Sequence, residues 1–214
     1  MHHANKSTPP PTSTYEFQLT SAGMGPVCGL DEAGRGSWAG PVVAAAVILP
    51  ASASLLSQLN GVHDSKRLTP LQREKWALVI KSISRTYGIG MATNEEIDRM
   101  GIVPATRLAM ARAIRQLTLP PAYLLLDYIL LPEFDTPQTS LPRGDSKVLS
   151  IASASILAKV TRDHLMIDLG STYPAYGFSK HKGYGTRLHR EQLQRHGPCG
   201  IHRRSFSPVK SLCS

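Results

Sequence analysis

The sequence predicts an α/β domain with a mixed central sheet flanked by helices, and three observations support this fold class. Two apolar segments rich in β-branched residues, at 26–30 and 41–49, favour neighbouring strands near the start of the chain. Helical periodicity alternates with short strands in the later part. The 214 residues contain neither an internal repeat nor a second linker. We therefore expect one domain over residues 25–214, after a disordered lead at residues 1–24.

Local signals place the later elements. Thr69 and Gln72 form a capping box with Pro70 at the first helical position, which predicts a helix over residues 70–83. The last predicted helix stops at Gly197, a residue type that commonly ends helices. The remaining predictions are strands at 87–92 and 123–126, and helices from 104 onward, at 150–169 and at 187–196.

The net charge favours a polyanionic partner. Lys and Arg together number 24 against 15 acidic residues, a formal net charge of +9. Neutralising phosphates releases condensed counterions, so such an excess favours nucleic acid. Residues 180–210 contain eight Lys or Arg and a single acid, Glu191, which is typical of a nucleic-acid face. A basic surface kept for solubility is the alternative.

Composition argues against several other classes of protein. No apolar run approaches the roughly 18 residues that a membrane-spanning helix needs. The polar, proline-containing residues 1–14 lack the apolar core of a secretory signal. Three widely spaced cysteines argue against a disulfide framework and favour a reducing compartment. We therefore expect a cytoplasmic protein.

Two adjacent acids, Asp31 and Glu32, directly follow a predicted strand and precede two glycines. Neighbouring side chains of a regular strand point to opposite faces, so both acids share one site only where the strand ends or bends. A solvated surface turn is the alternative for an isolated pair. A phosphate-binding P-loop is excluded, because Arg35-Gly36 stands where that loop needs Lys and then Ser or Thr.

Two further acids occupy suggestive positions. Asp127 ends the apolar run Leu124-Leu125-Leu126, where a carboxylate needs a partner. Asp145 lies shortly before a predicted long helix, and a turn or capping role is its alternative. Convergence of the four acids at one sheet edge produces repulsion that only cations relieve, and hard oxygen ligands favour Mg²⁺ or Mn²⁺. Two such ions can activate a water and stabilise the leaving oxygen of a phosphodiester.

Six strings together resemble the ribonuclease HII family and follow the family's order from about residue 26 to 210. They are Gly29-Leu30-Asp31-Glu32-Ala33-Gly34-Arg35-Gly36, Asp64-Ser65-Lys66, Arg143-Gly144-Asp145-Ser146-Lys147, Ala154-Ser155-Ile156-Leu157-Ala158-Lys159-Val160-Thr161-Arg162-Asp163, His181-Lys182-Gly183-Tyr184-Gly185-Thr186 and His202-Arg203-Arg204-Ser205-Phe206. The resemblance covers nearly the whole chain outside the lead.

The resemblance implies a ribonuclease H-like fold whose C-terminal helical part completes the substrate groove. It also implies that four acids are catalytic and bind the metal: Asp31, Glu32, Asp127 and Asp145. Substrate roles are implied for Gly34-Arg35-Gly36, which grips the 2′-hydroxyl and flanking phosphate of a ribonucleotide, and for Tyr184, which stacks on the deoxyribose that follows it. Lys66 resembles a phosphate-contacting lysine.

The implied activity is endonucleolytic hydrolysis of the RNA strand of RNA–DNA hybrids and incision 5′ to single ribonucleotides in duplex DNA. It uses Mg²⁺ or Mn²⁺, with two ions in the active complex, and leaves 3′-hydroxyl and 5′-phosphate ends. Such an enzyme acts in ribonucleotide removal from DNA and in replication primer removal. We expect a monomer.

Several alternatives compete with this interpretation. A junction resolvase on the same fold would also use four acids, but Gly34-Arg35-Gly36 and Tyr184 disfavour it. A catalytically silent hybrid-binding domain would not need all four acids. The sister family, ribonuclease HIII, usually has Lys in place of Arg35 and an additional N-terminal domain. Cys199 and His202 have a zinc-like spacing, but no second pair completes a site.

Tyr128 departs from the family pattern, which usually has Gly after the third acid. Either the backbone there is ordinary strand, or the tyrosine is strained. We expect extended backbone, because Ile129-Leu130 continues the apolar pattern, with the ring packed on the face opposite Asp127.

Overall fold

Five strands form one mixed sheet in the computed structural model, which describes residues 9–52 and 54–213. In chain order they are β1 (Val27–Ala33), β2 (Val42–Ile48), β3 (Thr86–Ala92), β4 (Tyr123–Leu126) and β5 (Gln138–Ser140). Their order in space is β3-β2-β1-β4-β5. β1 pairs antiparallel with β2 and parallel with β4, so the carboxyl ends of β1 and β4 lie side by side.

Helices cover both faces of this sheet. Those in the described residues are α1 (Thr14–Ser21), α2 (Leu55–Gln58), α3 (Pro70–Ile83), α4 (Asn94–Met100), α5 (Ile102–Arg115), α6 (Leu149–Thr172), α7 (Phe178–His181) and α8 (Arg187–His196). The prediction of an α/β fold with a mixed sheet is confirmed, as are the strands and helices expected from sequence. α1, α2, α4, α7 and β5 were not predicted. None of the described helices is long and apolar enough to cross a membrane.

The central strand β2 explains why the sheet is covered on both faces. All seven of its residues are buried, and six of them belong to two hydrophobic clusters on opposite faces. Ala45 and Val47 pack in the cluster that contains α3 and α6, whereas Ala44 and Ala46 pack in the cluster that contains α5. Each fully buried valine contributes roughly 1.5–3 kcal/mol to folding. An apolar strand without a polar face therefore requires a helical layer on either side.

Glycines in β3 allow α5 to approach the sheet closely. A Cβ on Gly88 would lie 2.1 Å from the carbonyl oxygen of Ala113, and one on Gly90 would lie 2.2 Å from that of Ala109. Both distances are far shorter than a van der Waals contact. The two glycines thus set the distance between α5 and the edge of the sheet.

Helix α1 corrects the prediction of a disordered lead over residues 1–24, of which the structure describes residues 9–24. Long-range contacts hold this segment in place. The carboxylate of Glu16 accepts a hydrogen bond of 2.8 Å from the backbone N–H of Ser150, in the first turn of α6. The backbone of Thr12 accepts from Leu149 N–H and donates to the carbonyl of Lys147. Residues 1–8 lie outside the described residues.

Tyr128 also differs from its prediction. β4 ends at Leu126, and the backbone N–H of Ile129 donates to the carbonyl of Asp127 over 2.8 Å, which closes a tight turn centred on Tyr128. This turn places Tyr128 at φ 69°, in the left-handed region, and leaves its side chain 70% exposed. The expectation of an extended backbone with a packed ring is wrong, and the strained alternative is correct.

Tyr128→Gly is therefore expected to stabilise the protein. Relief of the left-handed strain, roughly 1–2 kcal/mol, exceeds the entropy that glycine adds to the unfolded chain, roughly 0.4–1 kcal/mol. We expect a net gain of about 0.5–1 kcal/mol in the free energy of unfolding, measured by urea denaturation. Leu130→Gly is the matched control, because Leu130 is also exposed but has no positive φ, and it should only destabilise. Equal losses in the two variants would contradict the strain argument.

Candidate active site

The parallel pairing of β1 and β4 brings the first two aspartates together. Asp31 lies near the end of β1, paired with Ala45 of β2, and Asp127 directly follows β4. The backbone N–H of Asp127 donates to the carbonyl of Leu30 over 3.2 Å, which continues the ladder to the start of the site. Both carboxyl groups therefore emerge at the same edge of the sheet.

Asp145 comes from a 3₁₀ helix, Gly144–Ser146, that is tied to this edge. The backbone N–H of Gly144 donates a hydrogen bond of 2.9 Å to Oδ1 of Asp127. Asp31, Asp127 and Asp145 consequently converge, with one carboxylate oxygen from each within 4.8 Å of the other two. Three of the four predicted acids share one cluster.

Glu32 lies beside this cluster but outside it. β1 continues to Ala33, so the alternation of a regular strand directs Glu32 away from Asp31. The predicted strand at 26–30 is thus longer than expected and includes both acids. Oε1 of Glu32 is 3.3 Å from Nη1 of Arg35, whereas Oε2 is buried and has no hydrogen-bond partner among the described residues. Glu32 remains close enough for the charge of Asp127 to raise its pKa.

Burial and mutual repulsion shift the pKa values of these acids upward. The pKa of Asp31 is well above its usual range because the carboxyl is buried and lies near Glu32 and Asp127. Burial raises the pKa of Glu32 to about 7, although Arg35 opposes the shift. The pKa of Asp145 rises to about 6, first through burial and then through the charges of Asp64 and Asp127. Full ionisation of the cluster thus requires added positive charge.

The donor set suits a divalent cation such as Mg²⁺ or Mn²⁺. Carboxylate oxygens are hard ligands, and three of them converge without a thiolate or imidazole among them. The buried, unpartnered Oε2 of Glu32 is a further oxygen available to a cation or its water. The chemistry of the residues therefore fits the metal that was expected from sequence.

Two further side chains contact the cluster, Asp64 and Ser155, and neither was assigned a role from sequence. Asp64 accepts a hydrogen bond of 2.9 Å from the backbone N–H of Lys66, and this turn holds the Lys66 ammonium 3.6 Å from Oδ2 of Asp145. Partial burial favours the neutral amine, but the surrounding aspartates outweigh it and raise the pKa of Lys66. The Ser155 hydroxyl bonds to that of Ser65 over 2.9 Å and also to Asp31, whose pKa it lowers.

Two fully buried arginines hold the loop Gly34-Arg35-Gly36. Arg203 donates to the carbonyls of Gly34 and Arg35, over 2.8 and 2.9 Å. Arg162 donates to the hydroxyl of Ser37 over 2.6 Å, and its Nε lies 1.9 Å from the position of a Cβ on Gly34. Burial lowers the pKa of both guanidinium groups. Both arginines stand in the strings that resemble the family, but nothing in those strings indicates burial.

Tyr184 lies on the other side of Arg162. Its ring centroid is 5.3 Å from the guanidinium carbon of Arg162 and 5.4 Å from the ammonium of Lys159. The preceding residue, Gly183, accepts a hydrogen bond of 2.8 Å from the backbone N–H of Trp38. Arg162 therefore contacts both the Gly34 loop and the ring of Tyr184, which joins the two predicted substrate-binding segments.

The basic stretch at 180–210 is mostly a surface feature. Six of its eight Lys and Arg side chains are exposed: Lys180, Arg187, Arg190, Arg195, Arg204 and Lys210. Lys182 is half-buried and Arg203 is fully buried, so these two are not part of the solvated face. The exposed set lies on and around α8.

The fold is similar to that of solved ribonucleases H2 and HII. The ribonuclease H2 of Pyrococcus horikoshii OT3 matches with a TM-score of 0.70 and 28% sequence identity, over 87% of this chain and 96% of that one. The mixed sheet and the aspartate cluster at its edge thus define a nuclease.

The family follows from two kinds of comparison. A family model described as ribonuclease HII matches residues 28–209. The chain is 49% identical over 200 residues to the ribonuclease HII of Geobacillus sp. (strain WCH70), covering 94% of this chain and 70% of that protein. It is 48% identical over 202 residues to that of Dehalococcoides mccartyi (strain ATCC BAA-2266 / KCTC 15142 / 195), covering 92% and 93%. The chain belongs to the ribonuclease HII family, whose members are divalent-metal-dependent ribonuclease H endonucleases acting on nucleic acid.

Gly34→Ala is expected to disrupt the loop, whereas Gly36→Ala should be tolerated. Gly34 has φ +93°, and a Cβ there would collide with Arg162. No atom lies within 4 Å of the Cβ position of Gly36, which has no positive φ. We expect Gly34→Ala to lower the free energy of unfolding by about 2 kcal/mol or more. Gly36→Ala should change it by less than about 0.5 kcal/mol. Urea denaturation of both variants tests this, and equal effects would refute the close packing of Gly34.

Proposed function

We propose that this protein hydrolyses the RNA strand of RNA–DNA hybrids and incises duplex DNA 5′ to single embedded ribonucleotides. The products carry 3′-hydroxyl and 5′-phosphate ends. The observation that carries the proposal is the convergence of three aspartate oxygens within 4.8 Å, beside a glycine loop held by buried arginines. We place the protein in the cytoplasm as a monomer that serves ribonucleotide and replication-primer removal.

The acids provide the reaction centre. We assign Asp31, Asp127 and Asp145 as the ligands that would hold the metal, and Glu32 as the fourth acid that completes the site through its free oxygen. When bound, two Mg²⁺ or Mn²⁺ ions supply activation of a water and stabilisation of the departing oxygen. The protein contributes a fixed cluster whose charges favour cation binding. Ser155 helps to keep Asp31 ionised through its hydrogen bond.

Charged and small residues around the acids position the substrate. Lys66 has an exposed ammonium next to Asp145, where it can contact a phosphate oxygen of the substrate. The main chain of Gly34-Arg35-Gly36 can approach a ribose closely because two of its residues lack side chains. A 2′-hydroxyl is what distinguishes RNA from DNA at a single position. This loop is therefore our assignment for ribonucleotide recognition.

Tyr184 is assigned to the nucleotide that follows. Its ring is half-buried, with one side supported by Arg162 and Lys159. Such a supported aromatic ring can stack on a sugar that lacks the 2′-hydroxyl and exclude one that has it. The pair formed by the Gly34 loop and Tyr184 would thus recognise an RNA-to-DNA junction.

Asp31→Asn and Asp145→Asn should each abolish cleavage of a labelled hybrid in Mg²⁺, because each removes one of three converging ligands. Hybrid affinity should be retained, since the exposed basic residues are untouched. Asp135→Asn is the control, because it neutralises an exposed aspartate on the loop between β4 and β5. Turnover like that of the wild type in either site variant would refute the assignment.

Tyr184→Ala should lose more activity on a duplex with one embedded ribonucleotide than on a long hybrid. Loss of stacking on one nucleotide costs roughly 1–3 kcal/mol, about five- to 150-fold in relative kcat/KM. Tyr184→Phe keeps the ring and should retain the preference. An all-DNA duplex should not be cut by any of these proteins. Equal losses on both ribonucleotide substrates would mean that Tyr184 only packs, and the junction assignment would fail.

A further inference from the structure

Three histidines lie buried behind Tyr184, outside the acid cluster. His189 and His202 are 0% and 1% exposed, and His181 is 8% exposed. The rings of His181 and His189 stack with centroids 4.4 Å apart. Burial lowers the pKa of all three, to about 4 for His189 and His202. All three imidazoles are therefore neutral near pH 7, and each carries one ring proton.

The proton of His202 is fixed by the main chain. The backbone N–H of Cys199 donates to Nδ1 of His202 over 2.9 Å. A nitrogen that accepts a hydrogen bond carries no proton, so the proton of neutral His202 is on Nε2. That Nε2 lies 3.1 Å from Nε2 of His189, to which it can donate.

The proton of His189 is fixed independently from the opposite end. Its Nδ1 lies 3.0 Å from the carbonyl oxygen of Tyr184. A carbonyl oxygen only accepts hydrogen bonds, so Nδ1 of His189 carries the proton and its Nε2 is the acceptor. Because Nε2 of His202 carries a proton, it needs such an acceptor at Nε2 of His189. A single directed chain of hydrogen bonds thus runs from Cys199 N–H through His202 and His189 to the carbonyl of Tyr184.

We propose that His189 is a positioning residue for Tyr184, and that His202 selects the tautomer of His189 that can donate to the Tyr184 carbonyl. The proposal rests on the function assigned above to Tyr184. It gives α8 a role beyond its basic surface, because His189 ties this helix to the loop that carries Tyr184.

The loop around Tyr184 needs such support because its backbone is not relaxed. Lys182 has φ 54°, in the left-handed region, which a residue with a side chain adopts only at a cost, and Gly183 follows at φ 80°, which glycine tolerates. The other anchors restrain neighbouring peptides: Arg162 donates to the carbonyl of Lys182, and Trp38 donates to that of Gly183. At the Tyr184 carbonyl itself the partners are Thr186 N–H, within the same loop, and His189. His189 therefore links the Tyr184 peptide to an element outside the loop.

The tautomers are measurable without any activity assay. In the ¹⁵N-histidine NMR spectrum of the wild-type protein at pH 7.5, His189 should be protonated on Nδ1 and His202 on Nε2. The Nδ1 tautomer is the minor one for free histidine, so its presence is a specific signature. An Nε2-protonated or doubly protonated His189 would overturn the proposal.

Two variants of His189 separate its hydrogen bond to Tyr184 from its hydrogen bond to His202. In His189→Asn the amide nitrogen can occupy the place of Nδ1 and still donate to Tyr184. In His189→Gln the amide reaches the place of Nε2, where it can accept from His202, but it leaves Tyr184 without its donor. We expect the glutamine variant to raise KM for the single-ribonucleotide duplex, relative to the hybrid, by about three- to tenfold, the size of one hydrogen bond. The asparagine variant should keep the wild-type ratio.

The outcomes distinguish this proposal from the function on which it rests. Equal KM ratios in the glutamine and asparagine variants, with both folded by circular dichroism, would overturn the role of His189. If Tyr184→Ala leaves the substrate preference unchanged, the assignment of Tyr184 fails, even where the tautomers are as stated. If neither His189 variant folds, the tautomers of the wild-type protein still decide whether the directed chain of hydrogen bonds exists.

Discussion

Three aspartates converge where β1 and β4 end, with Glu32 beside them, and keeping these carboxyl groups there against their own repulsion is the constraint on which the rest of the site depends. Parallel pairing of the two strands fixes Asp31 and Asp127, and the bond from Gly144 to Asp127 adds Asp145. Burial makes the repulsion stronger, since little water is left to screen it. Lys66 and Arg35 offset part of the negative charge from the rim. A divalent cation held by the three aspartates would relieve this repulsion.

Two buried arginines hold the main chain beside the acids. Arg162 and Arg203 are fully buried, and their hydrogen bonds go mostly to carbonyl oxygens. A guanidinium group offers five donors in a rigid plane, so it can fix several peptide groups of an irregular loop at once. Removing either would leave buried carbonyls without donors. The geometry of the Gly34 loop is thus set by arginines that never reach solvent.

Sequence was sufficient for the features that depend on local pattern. The apolar runs predicted β1, β2 and β4, and the position of Asp127 after Leu126 followed from the end of such a run. Features that depend on distant partners were missed. α1 has almost no amphipathic pattern and is held through Glu16 and α6, while Arg162 and Arg203 look like surface charges until the fold encloses them. The prediction of extended backbone at Tyr128 was wrong because its apolar neighbours suggest a strand, whereas a turn at the end of β4 sets its φ.

The hydrogen bond from Arg203 to the Gly34 carbonyl joins residues that are 169 positions apart in the sequence. During synthesis, β1 and all four acids emerge well before the segment that carries Arg203. A nascent chain could therefore form its sheet and bring its carboxylates together while the neighbouring loop still lacks its principal support. Catalytic competence would then arise only as the C-terminal segment docks.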